Sequence, residues 1–318
     1  MDTGTAETTT VNAKAIRTKT QNKATRDKAT NRTKDKVTMN ATAMQHKKVL
    51  ITGGNSGIGL ETAKALIAQG AEVIIASRDS QKTQDALNLL GKGALHLSVE
   101  LSDFDSVRRL AAAYLEQHDR LDVLINNAGV FPGKAQMTQQ GFEMQIGVNH
   151  LSHFLLTQLL LPTLIETGES RVITVSSMLH QKGAIDFESF RGGDRYSAQK
   201  AYGQSKLANV LFALELAERL KHPSVTSNVL HPGGVATDIV RDMPWLIRKL
   251  LGLIFISPEE GAQTSIMLAT DPSLDTTNGA YYDQCQLKPP ATIAGDSALR
   301  SKLWDESLSA VNLTEDLF

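Results

Sequence analysis

From residue 47 onward, two rhythms of apolar and polar positions take turns along the chain. Lys48-Val49-Leu50-Ile51-Thr52 is a short apolar run ending in Gly-Gly. Ile58, Thr62, Ala65 and Leu66 then recur at helical spacing, with Gly70 just beyond them. The run from Glu72 to Ser77 reads as a buried strand. The same alternation predicts strands over Ala94–Val99, Leu121–Asn126, Arg171–Ser176, Val225–Leu230 and Gly279–Asp283. It predicts helices over Ser102–His118, Asn149–Ile165, Ala201–Lys221 and Pro258–Leu268. Continuously apolar strands separated by helices imply an α/β fold, a doubly wound (Rossmann) parallel sheet flanked by helices. No repeat of 20–50 residues interrupts the pattern, so one domain is expected over 47–318.

Residues 1–46 break the rhythm. They hold twelve threonines, nine Lys/Arg and four Asp/Glu, with no aromatic residue. Such a basic, Thr-rich stretch buries too little apolar surface to offset the entropy of ordering it, and it is expected to be disordered. Two alternatives stay open: an acid-poor organelle transit segment, or translation starting at Met39 or Met44. The expected location is the cytoplasm, with organelle targeting by 1–46 as the alternative.

Composition narrows the function classes. Across 318 residues, 33 Lys+Arg against 34 Asp+Glu leave a formal charge of −1. That balance offers no bulk attraction to nucleic acid, and no nucleic-acid partner is expected. A single cysteine, Cys285, excludes an internal disulfide framework and a Cys-rich zinc site. His150 and His153 lie three apart with no carboxylate or third ligand nearby, so they read as ordinary helix residues and no metal is expected. The apolar runs fall short of the roughly 18 residues that a membrane-spanning helix needs.

The first strand runs into Thr52-Gly53-Gly54-Asn55-Ser56-Gly57-Ile58-Gly59, directly before a helix. In that position Gly53, Gly57 and Gly59 permit a tight turn and close backbone approach to a pyrophosphate. Asn55, Ser56 and Ile58 complete the cradle over the helix N-terminus. The spacing is Gly-x-x-x-Gly-x-Gly, and no Gly-Lys-Ser/Thr follows, which excludes a nucleoside-triphosphatase loop. The second strand ends Ala76-Ser77-Arg78-Asp79, without the acidic residue that accepts hydrogen bonds from an NAD ribose. Arg78 offers a guanidinium fork for a 2′-phosphate, so NADP(H) is the expected cofactor and NAD(H) the alternative. Pairing of Asp79 with Arg78 would blunt that effect.

Tyr202 and Lys206 are four apart and share a helix face. A phenol with an ordinary pKa near 10 must exchange a proton near neutrality in carbonyl reduction, and a neighbouring ammonium lowers that pKa.

Together, Thr52…Gly59, Asn126-Asn127-Ala128-Gly129, Asn149, Ser176-Ser177, Tyr202…Lys206 and Pro232-Gly233 occur in the order found in short-chain dehydrogenases/reductases. The chain resembles that family over 47 to about 313. The long segment between Ser177 and Tyr202, Leu230-His231-Pro232-Gly233, and Gly279-Ala280-Tyr281-Tyr282-Asp283 near Leu303-Trp304 resemble its retinol dehydrogenase-like branch. The resemblance implies Tyr202 as acid/base, with Lys206 lowering its pKa and holding the nicotinamide ribose. It implies Ser177 as the hydroxyl on the substrate oxygen, Ser176 being the alternative, and Asn149 as holder of a water that links Lys206 to solvent. It also implies Asn127, Ala128 and Gly129 beside the adenine and ribose. Glu100 and Leu101 would lie near the adenine, though Asp-Leu is more usual there. Pro232, Gly233, Val235 and Thr237 would lie along the nicotinamide and pyrophosphate.

The resemblance also makes the apolar stretch 243–256 a flap over a greasy pocket. The expected substrate is a lipophilic small-molecule aldehyde, ketone or alcohol. Trp245, Leu246, Leu250 and Phe255 beside Arg248 and Lys249 suit weak contact with a membrane surface as well. The helices near Asn149–Ile165 and Ala201–Lys221 are where relatives pair, so a homodimer is a further expectation. A rival from another class is a non-catalytic, NADP-sensing interaction protein on the same fold. The presence of Asn149, Ser177, Tyr202 and Lys206 argues against it, since a binding protein needs no proton path.

Overall fold

A computed structural model describes residues 43–193, 195–220, 224–233 and 256–314. Eight strands form one sheet: β1 (Lys48–Thr52), β2 (Glu72–Ser77), β3 (Ala94–Ser98), β4 (Val123–Asn126), β5 (Ser170–Val175), β6 (Val225–His231), β7 (Tyr281–Asp283) and β8 (Gln286–Lys288). Their order across the sheet is β3-β2-β1-β4-β5-β6-β7-β8. The first seven run parallel, and β8 alone pairs antiparallel, on β7. The chain leaves β1 in one direction and restarts at β4 in the other. A crevice therefore opens beyond the carboxyl ends of β1 and β4, where α/β sheets bind their ligands.

Among the described residues, seven helices cover the sheet: α1 (Gly57–Ala68), α2 (Gln81–Leu90), α3 (Phe104–Gln117), α4 (Ser152–Thr167), α5 (Ala198–Arg219), α6 (Pro258–Thr270) and α7 (Ser297–Ala310). Strand residues alternate between two cores. Leu50, Ile74 and Leu124 pack with α3, α4, α5 and α7, whereas Val49, Ile51, Val73, Ile75 and Ile125 pack with α1 and α6. Burial on both faces explains why these strands read as unbroken apolar runs. Phe154, Phe212 and Trp304 close the first core with ring centroids 5.0–5.9 Å apart.

All seven predicted strands match to within two residues at each end; those expected from Leu121 and Gly279 begin at Val123 and Tyr281. The three-residue β8, α2 and α7 were not read from the sequence, β8 being too short to show a period. The helix expected over Asn149–Ile165 differs in kind at its start. A short helical turn, Met144–Ile146, passes into a π-helical turn over Gly147–Leu151 before α4 begins. The apolar positions of α4 and α5 are consumed by the chain's own core, and the exposed large apolar side chains lie elsewhere among the described residues. No described helix is long and apolar enough to cross a membrane. The expected disorder of 1–46 falls almost wholly outside the described residues, as do 243–255 of the expected flap.

Candidate active site

The crevice is lined first by the turn after β1. Gly59 opens α1 against that turn so closely that a Cβ would stand 2.4 Å from the Gly53 carbonyl oxygen and 2.6 Å from Asn127 Nδ2. Ser56 takes the N-cap position of α1, but its side chain makes no cap bond to the first-turn N–H groups. By contrast, Ser80, Asp103, Ser197 and Ser257 cap their own helices. A side-chain-free cradle facing uncapped amides fits a dinucleotide pyrophosphate. Gly53, Gly57, Ile58 and Gly59 belong to this cradle. Asn55 does not point its amide into it, but donates through Nδ2 to Thr83 Oγ1 at 3.0 Å, tying the turn to α2.

Thr52 locks the cradle to β4. Its Oγ1 accepts from the backbone N–H of Asn127 at 2.9 Å and of Ala128 at 3.0 Å. Asn127 Nδ2 donates in return to the Thr52 carbonyl at 2.8 Å. Gly129 follows, where a Cβ would make ordinary contact with Lys206 Nζ at 3.4 Å and Asn149 Oδ1 at 3.5 Å.

At the end of β2, Arg78 is exposed and lies 3.7 Å from Glu100 Oε2. Asp79 turns away from Arg78. It accepts from Ser98 Oγ at 2.6 Å and lies 3.6 Å from His96 Nδ1, so the feared internal pairing is replaced by one with β3. Glu100 Oε1 also accepts from Ser102 N and Oγ, at 3.0 and 2.9 Å. Leu101 is buried in the first core, so only its backbone is available to a ligand there.

The candidate reacting groups lie just after β5 and on α5. Ser176 is buried and donates to the Lys206 carbonyl at 2.8 Å, which commits its hydroxyl to helix packing. Ser177 is half-buried, its Oγ accepts from Leu179 N at 3.3 Å, and its hydroxyl lies beside the Tyr202 phenol. Burial pushes the Tyr202 phenol up to about 12, with the Ser177 hydroxyl pulling the other way. Burial also lowers Lys206 to about 8. Its ammonium donates to the Val175 carbonyl at 3.1 Å and lies 5.6 Å from the centre of the Tyr202 ring. Burial is the larger influence on Tyr202 in this arrangement, where the Lys206 ammonium donates to a carbonyl. Phe131 packs edge-on against the Tyr202 ring, centroids 5.1 Å apart, and presents an apolar wall beside the phenol.

Asn149 lies in the π-helical turn and is fully buried. Its Oδ1 accepts from Val130 N at 2.8 Å, while Nδ2 donates to the Val130 carbonyl at 3.1 Å and to Ser205 Oγ at 3.0 Å. Ser205 donates onward to the Tyr202 carbonyl at 2.9 Å. The Asn149 side chain is therefore a brace between the loop after β4 and α5. Its carbonyl is the atom left to serve a proton path.

Pro232 and Gly233 follow β6, and Gly233 has φ of 92°. Val235 and Thr237 lie outside the described residues. Ser205 and His180 were not singled out from the sequence, and His153 reads there as an ordinary helix residue. His180 Nδ1 donates to the Ser177 carbonyl at 2.6 Å and Nε2 accepts from Ala291 N at 3.1 Å, fixing the serine loop. Each acts through a contact between segments far apart in sequence, and no local spacing signals it.

A family model described as short chain dehydrogenase matches residues 47–244. Retinol dehydrogenase 14 of Homo sapiens is 42% identical over 294 residues, covering 85% of this chain and 88% of that one. The crystal structure of an uncharacterized protein from Mycobacterium Paratuberculosis superposes with a TM-score of 0.71 at 34% identity, covering 85% of this chain and 94% of that one. The Pseudomonas aeruginosa RhlG/NADP active-site complex does so with a TM-score of 0.64 at 28% identity, covering 77% and 97%.

Proposed function

The chain belongs to the short-chain dehydrogenase family of oxidoreductases, and from that premise we propose that it interconverts a lipophilic aldehyde or ketone and its alcohol with NADP(H). The observation that carries this reading is the convergence of Ser177, Tyr202 and Lys206 at the mouth of the crevice, with Tyr202 buried and protonated. When bound, the nicotinamide supplies or accepts the hydride, so the chain needs no nucleophile of its own.

In the reducing direction the Tyr202 hydroxyl donates its proton to the carbonyl oxygen, and the Ser177 hydroxyl gives that oxygen a second aimed donor. A phenol held near 12 is in its donating form at neutral pH. Lys206, placed beside the ring, favours the phenolate left behind. The Asn149 backbone carbonyl accepts a hydrogen bond from His153 Nδ1 and is the atom this reading assigns to a proton-carrying water. Arg78 meets the 2′-phosphate, and the Gly53–Gly59 turn with Asn127, Ala128 and Gly129 holds the rest of the dinucleotide.

Two features support a lipophilic substrate: the Phe131 wall, and Met178, an exposed side chain directly after Ser177. A relative named for retinol points the same way. The test is NADPH consumption, with NADH in parallel, against aliphatic, aromatic, steroid and retinoid carbonyls. Turnover of one apolar class is expected. Tyr202→Phe should lower it by about 10²–10⁴-fold while NADPH affinity holds. Undiminished turnover in that variant removes Tyr202 from the mechanism, and tight NADPH binding with no turnover favours the sensing protein.

A further inference from the structure

His153 lies on α4, one turn after Asn149, and is buried with both ring nitrogens engaged. Nε2 is 2.8 Å from Thr52 Oγ1, and Nδ1 is 3.0 Å from the Asn149 carbonyl oxygen. The proton positions follow from counting. Thr52 Oγ1 already accepts two backbone N–H groups, from Asn127 and Ala128, which fill both of its lone pairs. Its remaining O–H has one well-placed acceptor, His153 Nε2; the Ile125 carbonyl is 3.5 Å away. The imidazole proton therefore sits on Nδ1 and is donated to Asn149. Burial holds the ring neutral, with its pKa lowered to about 4 and Lys206 adding to the effect.

We propose that His153 is a positioning residue that fixes the Asn149 carbonyl for proton delivery toward Lys206 and couples it to the cofactor turn through Thr52. The proposal rests on the roles given above to Asn149, Tyr202 and Lys206. The two bonds of one ring link the β1 turn to the π-helical turn, beside the Asn149–Val130 bonds that tie that turn to the loop after β4. A π-helical turn leaves a carbonyl outside the regular helical ladder, and such an atom needs a fixed donor to keep its direction. His150, three residues earlier, cannot substitute. Its Nε2 is 2.9 Å from Ser307 Oγ on α7, which faces it away from the crevice.

Two substitutions separate the bonds. His153→Asn keeps a side-chain N–H near the Nδ1 position and loses the reach to Thr52. His153→Gln keeps an acceptor near the Nε2 position and loses the donor to Asn149. A third, His153→Met, fills the volume and removes both. Fluorescence titration with NADPH and steady-state kinetics on one carbonyl substrate are measured for each, after melting curves establish folding. His153→Gln is expected to lower kcat about tenfold with NADPH Kd within twofold of the parent. His153→Asn is expected to raise Kd about tenfold with kcat within twofold, and His153→Met to show both losses. Parent-like kcat in the Gln and Met variants, or equal loss of both parameters in the Gln and Asn variants, overturns the proposal. Because the unsubstituted protein is assayed alongside, absence of turnover there counts against the proposed function. The Kd values of the Asn and Met variants still test the Thr52 arm.

Discussion

At the residue scale, adjacent side chains of one type do different work because the strand end turns them apart. Ser176 and Ser177 differ only in direction: one is spent on the Lys206 carbonyl and the other meets the Tyr202 phenol. The same logic applies to the charges at the end of β2. Arg78 is exposed and shares its charge with Glu100 at 3.7 Å, an ion pair of small worth that a phosphate would displace. Arg78→Ala should therefore weaken NADPH by about tenfold or more and leave NADH nearly unchanged. Glu100→Gln should tighten NADPH a few-fold by freeing the guanidinium. Paired Kd measurements for both cofactors check this, and equal losses of NADPH and NADH in Arg78→Ala would defeat the 2′-phosphate assignment.

At the element scale, the serine loop reaches Tyr202 because two backbones nearly touch. Gly183 ends the 3-10 turn Met178–Lys182, and a Cβ on it would stand 2.4 Å from the Gly203 carbonyl oxygen in α5. That carbonyl belongs to the residue after Tyr202, so anything that lifts the loop also lifts Ser177 from the phenol. Gly183→Ala should destabilise the protein by about 1–3 kcal/mol through overpacking. It should also cost more in kcat than in NADPH affinity, since the cofactor cradle lies on other elements. A melting curve with kcat and Kd side by side checks it; a variant with parent kcat contradicts the contact's role. The π-helical turn is the other element that sets the site. No hydrophobic period marks it, because Gly147, Val148, Asn149, His150 and Leu151 are all buried and give no polar face to read.

At the scale of the whole molecule, a set of neutral buried histidines ties stability to pH. Burial lowers His150 to about 3, and His153 and His231 to about 4. In the unfolded chain each would titrate near 6.5. Between about pH 6.5 and 4 the unfolded state binds more protons, so stability rises with pH across that window and falls as pH drops through it. From pH 7 to 5 the loss is on the order of 1–2 kcal/mol for each histidine. Urea midpoints measured across that range should fall steadily with acidification. A midpoint that holds or rises down to pH 5 contradicts the neutral assignment of these rings.

The sequence by itself determined the doubly wound sheet, because strands buried on both faces must be continuously apolar and the helices between them must carry a repeating apolar face. It also nominated the candidate site, since the glycine turn, Asn127-Ala128-Gly129, Ser177 and the Tyr202/Lys206 spacing are local patterns. Chain order even carries the crevice, as the turn after β1 and the end of β4 belong to neighbouring strands of opposite progression. Only the tertiary structure decided which serine faces the phenol, that burial lifts Tyr202 while lowering Lys206, and that Asp79 turns to β3 and leaves Arg78 to Glu100. It alone made a brace of Asn149 and a bridge of His153. The physical reason is common to all of these: hydrogen-bond partners and desolvation belong to contacts between segments distant in sequence, as from Thr52 to His153 or Ser177 to Tyr202. Periodicity and local spacing report only what each segment buries and how it turns.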